Sequence, residues 1–313
     1  MNSSQAEIAL NDRTKDDSTN TLKKIFSIYL IVFAIIASLL VIFFAYGQFI
    51  MSDDQHILWK NTLRDFFDIQ FFIYFAVGLF AQLIDGSLGM AYGVSSTTFL
   101  MSAGVPPAAA SASVHVAEVF TTGISGLSHW RFGNVNKKLF FKLAIPGSIG
   151  AAMGAFILTS VDGNFIKPYV SIYLLIMGIV IILKALKKFI QFKAPDKVGL
   201  LALAGGFLDN IGGGGWGPVV TTTLLGRGAQ PRTTIGSVNS SEFFVSLTGA
   251  GVFTLLIGLQ GFSIIAGLIL GGIIAAPLGA YICSRINTKT AMIFVGILII
   301  VLSTRTVIKS IGL

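Results

Sequence analysis

The chain has 313 residues, 54% of them apolar and only 12% charged, with a mean hydropathy of +0.81. Soluble domains carry about 25% charged residues, so an ordinary water-soluble globule is excluded. The formal charge of +8 does not argue for nucleic acid, because the basic residues sit in short loops between apolar runs, where they set membrane topology, and the lone Cys283 rules out a disulfide framework.

The chain opens with a polar tail, 1–24, whose stretch Met1–Asn20 is rich in Asp, Asn, Ser and Thr and predicts disorder. A segment 25–68 follows. Its run Phe26–Ile50 is apolar apart from Gln48 and predicts a retained transmembrane helix, being too long for a leader core and lacking a small-x-small site before Met51. Residues 69–190, a basic linker at 191–197, and residues 198–313 complete the order. Leu139–Ser160, Tyr169–Leu183, Ser263–Cys283 and Ala291–Ser303 are further apolar runs. About 20 residues suffice to span the hydrocarbon core, and shorter runs serve when anchored by flanking side chains. The predicted fold class is an all-α polytopic membrane protein.

The two long segments repeat one another. Asp85, Thr97, Thr98, Pro107, Ser113, Glu118 and Phe120 recur 124 residues later as Asp209, Thr221, Thr222, Pro231, Ser237, Glu242 and Phe244. Gly89 and Gly93 likewise match Gly213 and Gly217, and Gly147 and Gly154 match Gly272 and Gly279 at a shift of 125. Two hydrophobic stretches resemble each other by chance, but rarely with Asp, Pro and Glu at one offset, so about 76–190 and 202–307 are two copies of one unit.

Each copy begins with an apolar stretch broken by glycine: Asp85–Gly93 interrupts Phe71–Met101, and Asp209–Pro218 interrupts Leu200–Leu225. Glycine costs about 1 kcal/mol in a helix interior, and Pro218 suits a fresh helix start. Both stretches predict two half-helices around an unwound turn, either crossing the membrane or folding back. Folding back with a cytoplasmic N-terminus leaves only Lys60, Arg64, Lys167, Arg305 and Lys309 outside, so 17 of the 22 Lys and Arg lie inside. If both stretches cross, the better orientation places 13 inside and 9 outside. The positive-inside rule favours the hairpins, and with them repeats of inverted orientation.

Four acidic residues lie within apolar stretches: Asp85, Glu118, Asp209 and Glu242. A charge at mid-membrane costs about 2.5–3.5 kcal/mol on insertion scales, so such groups face a bundle interior or a watery cavity. They are the candidate proton-coupling or gating groups, although each aspartate also suits a structural cap beside an unwound turn. Ser111, His115, Glu118, Thr122, Ser125 and His129 form one polar stripe at helical spacing, answered in the second copy by Asn239, Glu242 and Ser246. Candidate substrate-binding residues are Gly89, Gly93, Ser95, Ser96, Thr97, Ser113, His115, Gly213, Gly214, Gly217, Thr221, Ser237, Asn239 and Ser240. Hydroxyls and free N–H groups at half-helix starts suit a small oxyanion. For Gly147, Gly150 and Gly154 close helix packing is the better reading. No cofactor or metal is expected.

At these residues the sequence resembles the sulfite exporter TauE/SafE family. The resemblance runs through Gly78-Leu79, Leu83–Gly89, Pro106-Pro107-Ala108 and Leu127-Ser128-His129, then Arg131–Val135; the second copy answers with Gly205–Phe207, Gly217-Pro218 and Gly236-Ser237. The family's glycine triplet in the first copy is replaced here by Met90-Ala91-Tyr92-Gly93. The resemblance implies secondary transport of a small sulfur-containing anion, sulfite or an organosulfonate, in the plasma or inner membrane. The expected partners are that anion and the bilayer, with no nucleic acid and with self-association left open.

The leading expectation is a proton-linked carrier; the alternative is a passive anion channel on the same fold. The sequence lacks a G-x-x-x-x-G-K-[ST] nucleotide loop and the H-E-x-x-H and G-x-S-x-G enzyme motifs, so neither ATP hydrolysis nor intramembrane catalysis is expected.

Overall fold

The computed structural model describes residues 64, 66–88, 90–186, 197–227, 229–259, 261–283 and 288–311. The polar tail, the run Phe26–Ile50, Gly89 and most of the linker lie outside the described residues. The chain divides into two compact units, Met1–Phe66 and Phe67–Leu313, and every element below belongs to the second.

The described elements are helical throughout. The first copy contains α1 (Ile69–Leu88), α2 (Tyr92–Ser102), α3 (Pro107–Arg131), α4 (Lys137–Ser160) and α5 (Gly163–Ala185). The second contains α6 (Val198–Gly212), a π-helical turn (Gly217–Thr221) running into α7 (Thr222–Gly226), then α8 (Pro231–Ile257), α9 (Phe262–Cys283) and α10 (Thr288–Ser310).

Local chemistry fixes the starts. The Asn136 side chain accepts from the N–H of Leu139 at 3.1 Å to cap α4, and Asp162 accepts from Asn164 and Phe165 to cap α5. Pro107 and Pro231 open α3 and α8, where a missing N–H costs nothing.

Among the described residues, four helical segments are long and apolar enough to cross a bilayer: Lys137–Ser160, Gly163–Ala185, Arg232–Ile257 and Met292–Ser310. α4 shows how such a helix divides its surface. Phe141, Ile145, Ile149 and Phe156 are exposed along one side, an apolar face suited to lipid. On the other side Gly147, Gly150 and Gly154 bring the helix against the second copy: a methyl on Gly150 would strike the carbonyl of Leu203, and one on Gly154 the carbonyl of Phe207. The packing reading of these glycines is what the helices display.

The copies exchange partners symmetrically. α1 packs on α9 and, in the second copy, the equivalent α6 packs on α4; α3 packs on α8, and α5 on α10. Equivalent helices meet running in opposite directions. Along α3, Glu118, Gly123 and Gly126 meet Ser246, Phe243 and Ser240 of α8. Along α5, Gly178 meets Ile299 while Ile182 meets Gly296 of α10. By contrast α1 and α9 run parallel, Gly267 facing Phe71 and Gly271 facing Leu79. α4 and α6 do the same, Gly150 facing Leu203 and Gly154 facing Ile211.

The glycine-broken stretches double back on themselves. Gly205 on α6 sits against Val220 and the Trp216 ring beyond the break, which a straight helix would separate by about 1.5 Å per residue. α1 and α2 are likewise packed together. Each copy therefore begins with a helical hairpin whose tip is unwound.

Candidate functional site

The two tips are built alike. In the first, Asp85 accepts from the N–H of Tyr92 at 3.4 Å; in the second, Asp209 accepts from the N–H of Trp216 at 2.8 Å. Both carboxylates reach across seven residues to hold the chain reversal, which shows the capping role open to them in the sequence. The turn itself needs left-handed backbone. Gly213 (φ 68°) and Gly214 (φ 156°) supply it in the second tip, whereas the first places Ala91 at φ 95°, a conformation that strains any residue with a Cβ.

The tips meet. A methyl on Gly93 would lie 2.8 Å from the Cα of Gly214 and 2.8 Å from Oε1 of Glu118. A methyl on Gly214 would overlap the backbone of Gly93 and Val94. The Thr97 hydroxyl donates across the junction to the carbonyl of Gly213, and Tyr173 of α5 donates to the carbonyl of Gly214 at 2.9 Å. Behind each tip an aromatic ring packs on a glycine of the supporting helix that the other copy provides: Trp216 on Gly147 of α4, and Tyr92 on Gly272 of α9. These are repeat-equivalent pairs. Their polar atoms are satisfied by carbonyls, Tyr92 Oη donating to Leu268 at 3.3 Å and Trp216 Nε1 to Val238 at 3.3 Å.

Between the tips lies a small, partly open cavity of about 20 Å³, lined by 90–94, 214–218, Thr121, Thr122 and the carboxylates of Asp85, Glu118, Asp209 and Glu242. Gly93, Val94 and Gly217 stand at half-helix starts on this lining, where first-turn N–H groups lack intrahelical acceptors.

α3 supplies the buried titratable side chains of Glu118 and His115. Glu118, 3% exposed, accepts from Ser246 of α8 at 3.2 Å, while Thr122 donates to its backbone carbonyl. His115 Nε2 lies 3.2 Å from Asp209 Oδ2, and His115 Nδ1 lies 2.8 Å from the carbonyl of Ser111. A carbonyl can only accept, so Nδ1 carries a hydrogen. The contact between Nε2 and the carboxylate then needs one more, held by either partner. Ser111 also donates to the carbonyl of Asn210 at 2.8 Å, locking α3 to the second tip. Ligand atoms of His115, Glu118 and Asp209 all lie within 4.8 Å of one another. Donors around a zinc-sized ion sit about 3.3 Å apart, and the His115–Asp209 contact is already a hydrogen bond.

Of the sequence-predicted substrate residues, Gly93, Gly214 and Gly217 line the cavity, Gly213 forms the junction and His115 stands behind Asp209. Others lie away from the cavity wall. Ser95 and Ser113 donate to their own helices, Thr97 bridges the tips, and Ser96 and Thr221 are buried with no partner for their hydroxyls. Ser237 meets Asn136 of the α3–α4 connection, Asn239 meets Ser125, and Ser240 meets Gly126, all at the contact between copies. Sequence reasoning missed Tyr92, Trp216, Thr121 and Tyr173. Tyr92 and Trp216 occupy matched positions, and an aromatic–aromatic match at the repeat offset was the available signal; Tyr173 aligns in sequence with Leu298 at the later shift of 125 and gave none.

Two matched sets of helices enclosing a buried, carboxylate-lined cavity at paired hairpin tips define a polytopic membrane transporter. The profile of the sulfite exporter TauE/SafE family matches residues 74–306, and the chain belongs to that family. A relative, the "Probable membrane transporter protein YtnM" of Bacillus subtilis (strain 168), is 43% identical over 244 residues, covering 74% of this chain and 81% of its own. No solved structure matches the chain.

Proposed function

We propose that this chain is a proton-linked secondary carrier of a small sulfur-containing anion, sulfite or an organosulfonate, with its substrate held between the hairpin tips. The observation that carries this reading is the meeting of Gly93 and Gly214 at a cavity lined by Asp85, Glu118, Asp209 and Glu242. First-turn N–H groups of Gly93, Val94 and Gly217 supply positive dipole ends to an anion. Glycine lets it approach the backbone closely.

The carboxylates decide the coupling. Two like unit charges 4 Å apart repel by about 4 kcal/mol at an effective dielectric of 20. An anion and an ionised carboxylate cannot share this cavity cheaply, so anion binding requires protons on Glu118 and Glu242. The same linkage makes a proton bind better when the anion is present. The antiparallel packing of α3 on α8 and of α5 on α10 supports copies inverted across the bilayer, with the tips near its midplane. That arrangement agrees with the loop charges and with a cytoplasmic N-terminus.

The test is uptake of labelled sulfite and sulfoacetate by proteoliposomes holding the purified full chain. Saturable flux, accelerated by anion on the far side and by an acid-inside or acid-outside gradient, is expected. Flux that stays linear with concentration and shows unitary current steps would replace the carrier by a channel.

A further inference from the structure

The cavity wall is acidic, yet an anion must reach it. One cation stands directly behind that wall. Lys184, in the last turn of α5, turns inward and places Nζ 2.8 Å from the Met90 sulfur. Met90 is itself 4% exposed and lines the cavity. The ammonium is thus one side chain away from the proposed anion site.

This placement is costly unless it serves something. A lysine near the end of an apolar helix ordinarily extends its stem and holds its charge in water or headgroups. Here the head points at a thioether, a weak acceptor that leaves an ammonium's other donors unfilled. Among the described residues the ion pair present is His115–Asp209, and no carboxylate accompanies Lys184. Favourable interaction with the α5 C-terminus accounts for a lysine in the last turn but not for a head directed at Met90. Met90 also belongs to the strained tip: the next residue is Ala91 at φ 95°. The side chain between cation and cavity therefore sits on the least relaxed piece of backbone described.

We propose that Lys184 is the capture point for the anion at one mouth of the cavity, with Met90 the movable plug between them. This rests on the anion-carrier reading above and adds to it the fixed positive charge that the cavity itself lacks. The ligand class is a small oxyanion bearing one or two negative charges. The repeat provides a natural control: Lys309 occupies the position of Lys184 in the second copy, 125 residues on, is exposed, and ends α10, which runs antiparallel to α5. The two lysines thus mark opposite ends of that helix pair.

The experiment is initial-rate sulfite flux in proteoliposomes of defined orientation, comparing wild type with Lys184→Met, Lys184→Arg and Lys309→Met. Lys184→Met keeps the apolar stem and removes the charge. Its KM for sulfite entering from the Lys184 face is expected to rise about tenfold at low ionic strength, with kcat within about twofold. The difference should shrink toward about twofold in 0.5 M salt, because screening acts on steering charges. Lys184→Arg should restore KM to within about threefold, and Lys309→Met should leave entry from that face unaltered. An unchanged KM in Lys184→Met, or a fall in kcat alone that arginine does not rescue, would overturn the assignment while leaving the carrier standing. Wild-type vesicles that move neither sulfite nor sulfoacetate would overturn both.

Discussion

Gly93 of the first hairpin and Gly214 of the second stand back to back, so close that a single methyl on Gly93 would sit 2.8 Å from the Gly214 Cα. The same methyl would sit 2.8 Å from Oε1 of Glu118. Backbone from one copy, backbone from the other and a buried carboxylate thus converge on a point where only hydrogen fits.

Gly93→Ala is therefore expected to push the tips apart. Overpacking costs about 1–3 kcal/mol, and the cavity lining would shift with it. We expect a lowered melting temperature in detergent and at least about a tenfold loss of sulfite flux. Gly163→Ala, at the start of α5 where a methyl meets nothing within 4 Å, should match wild type in both assays.

Acid should tighten anion binding. Protonating Glu118 or Glu242 removes a charge that repels the substrate, so KM falls as pH falls. One coupled proton gives up to about tenfold per pH unit, since a pH unit is worth about 1.4 kcal/mol. Glu118→Gln and Glu242→Gln mimic the protonated form. Each should flatten the pH profile of KM, and the double variant should flatten it more. Retention of the full wild-type slope in the double variant would remove both glutamates from coupling.

Asp209 does two jobs that substitution can separate. Its Oδ1 caps the second tip through the N–H of Trp216 and its Oδ2 faces His115. Asp209→Asn keeps an acceptor for Trp216 and offers an N–H to the bare Nε2 of a neutral His115, so stability should change by less than about 1 kcal/mol while the shared proton is lost. Asp209→Ala strands a buried N–H and should cost about 1–3 kcal/mol. Comparing thermal unfolding with pH-dependent flux in the two variants checks the division.

Ala91 pays for its left-handed backbone. Replacing it by glycine should raise stability by about 1 kcal/mol, since glycine accepts φ 95° without a Cβ clash. Thermal unfolding of Ala91→Gly against wild type measures this directly.

The repeat made much of this architecture legible beforehand. Asp85 with Asp209, and Glu118 with Glu242, stood out because a carboxylate inside an apolar run is expensive and two pairs at one offset are not accidental. All four line the cavity. Glycine spacing marked the breaks, and loop charge favoured folding back over crossing. What helical periodicity could not supply was direction. Ser237, Asn239 and Ser240 share a helix with Glu242, yet they meet Asn136, Ser125 and Gly126, because a polar stripe serves a helix contact as readily as a cavity. Tyr173 was invisible for another reason: its hydroxyl reaches Gly214 from α5, a contact made by tertiary folding with no repeat counterpart. The tail and the run Phe26–Ile50 lie outside the described residues.

The central claim, an anion held between the two unwound tips, is tested most directly by locating a heavy analogue. Selenite replaces sulfite with a selenium atom that scatters anomalously, and crystals of the full chain grown at acidic pH can be soaked with it. The account predicts an anomalous peak inside the cavity, within hydrogen-bonding reach of backbone N–H groups of Gly93, Val94 or Gly217, and its loss in Gly93→Ala crystals. A selenium peak bound elsewhere, with the space between Gly93 and Gly214 empty, would contradict it.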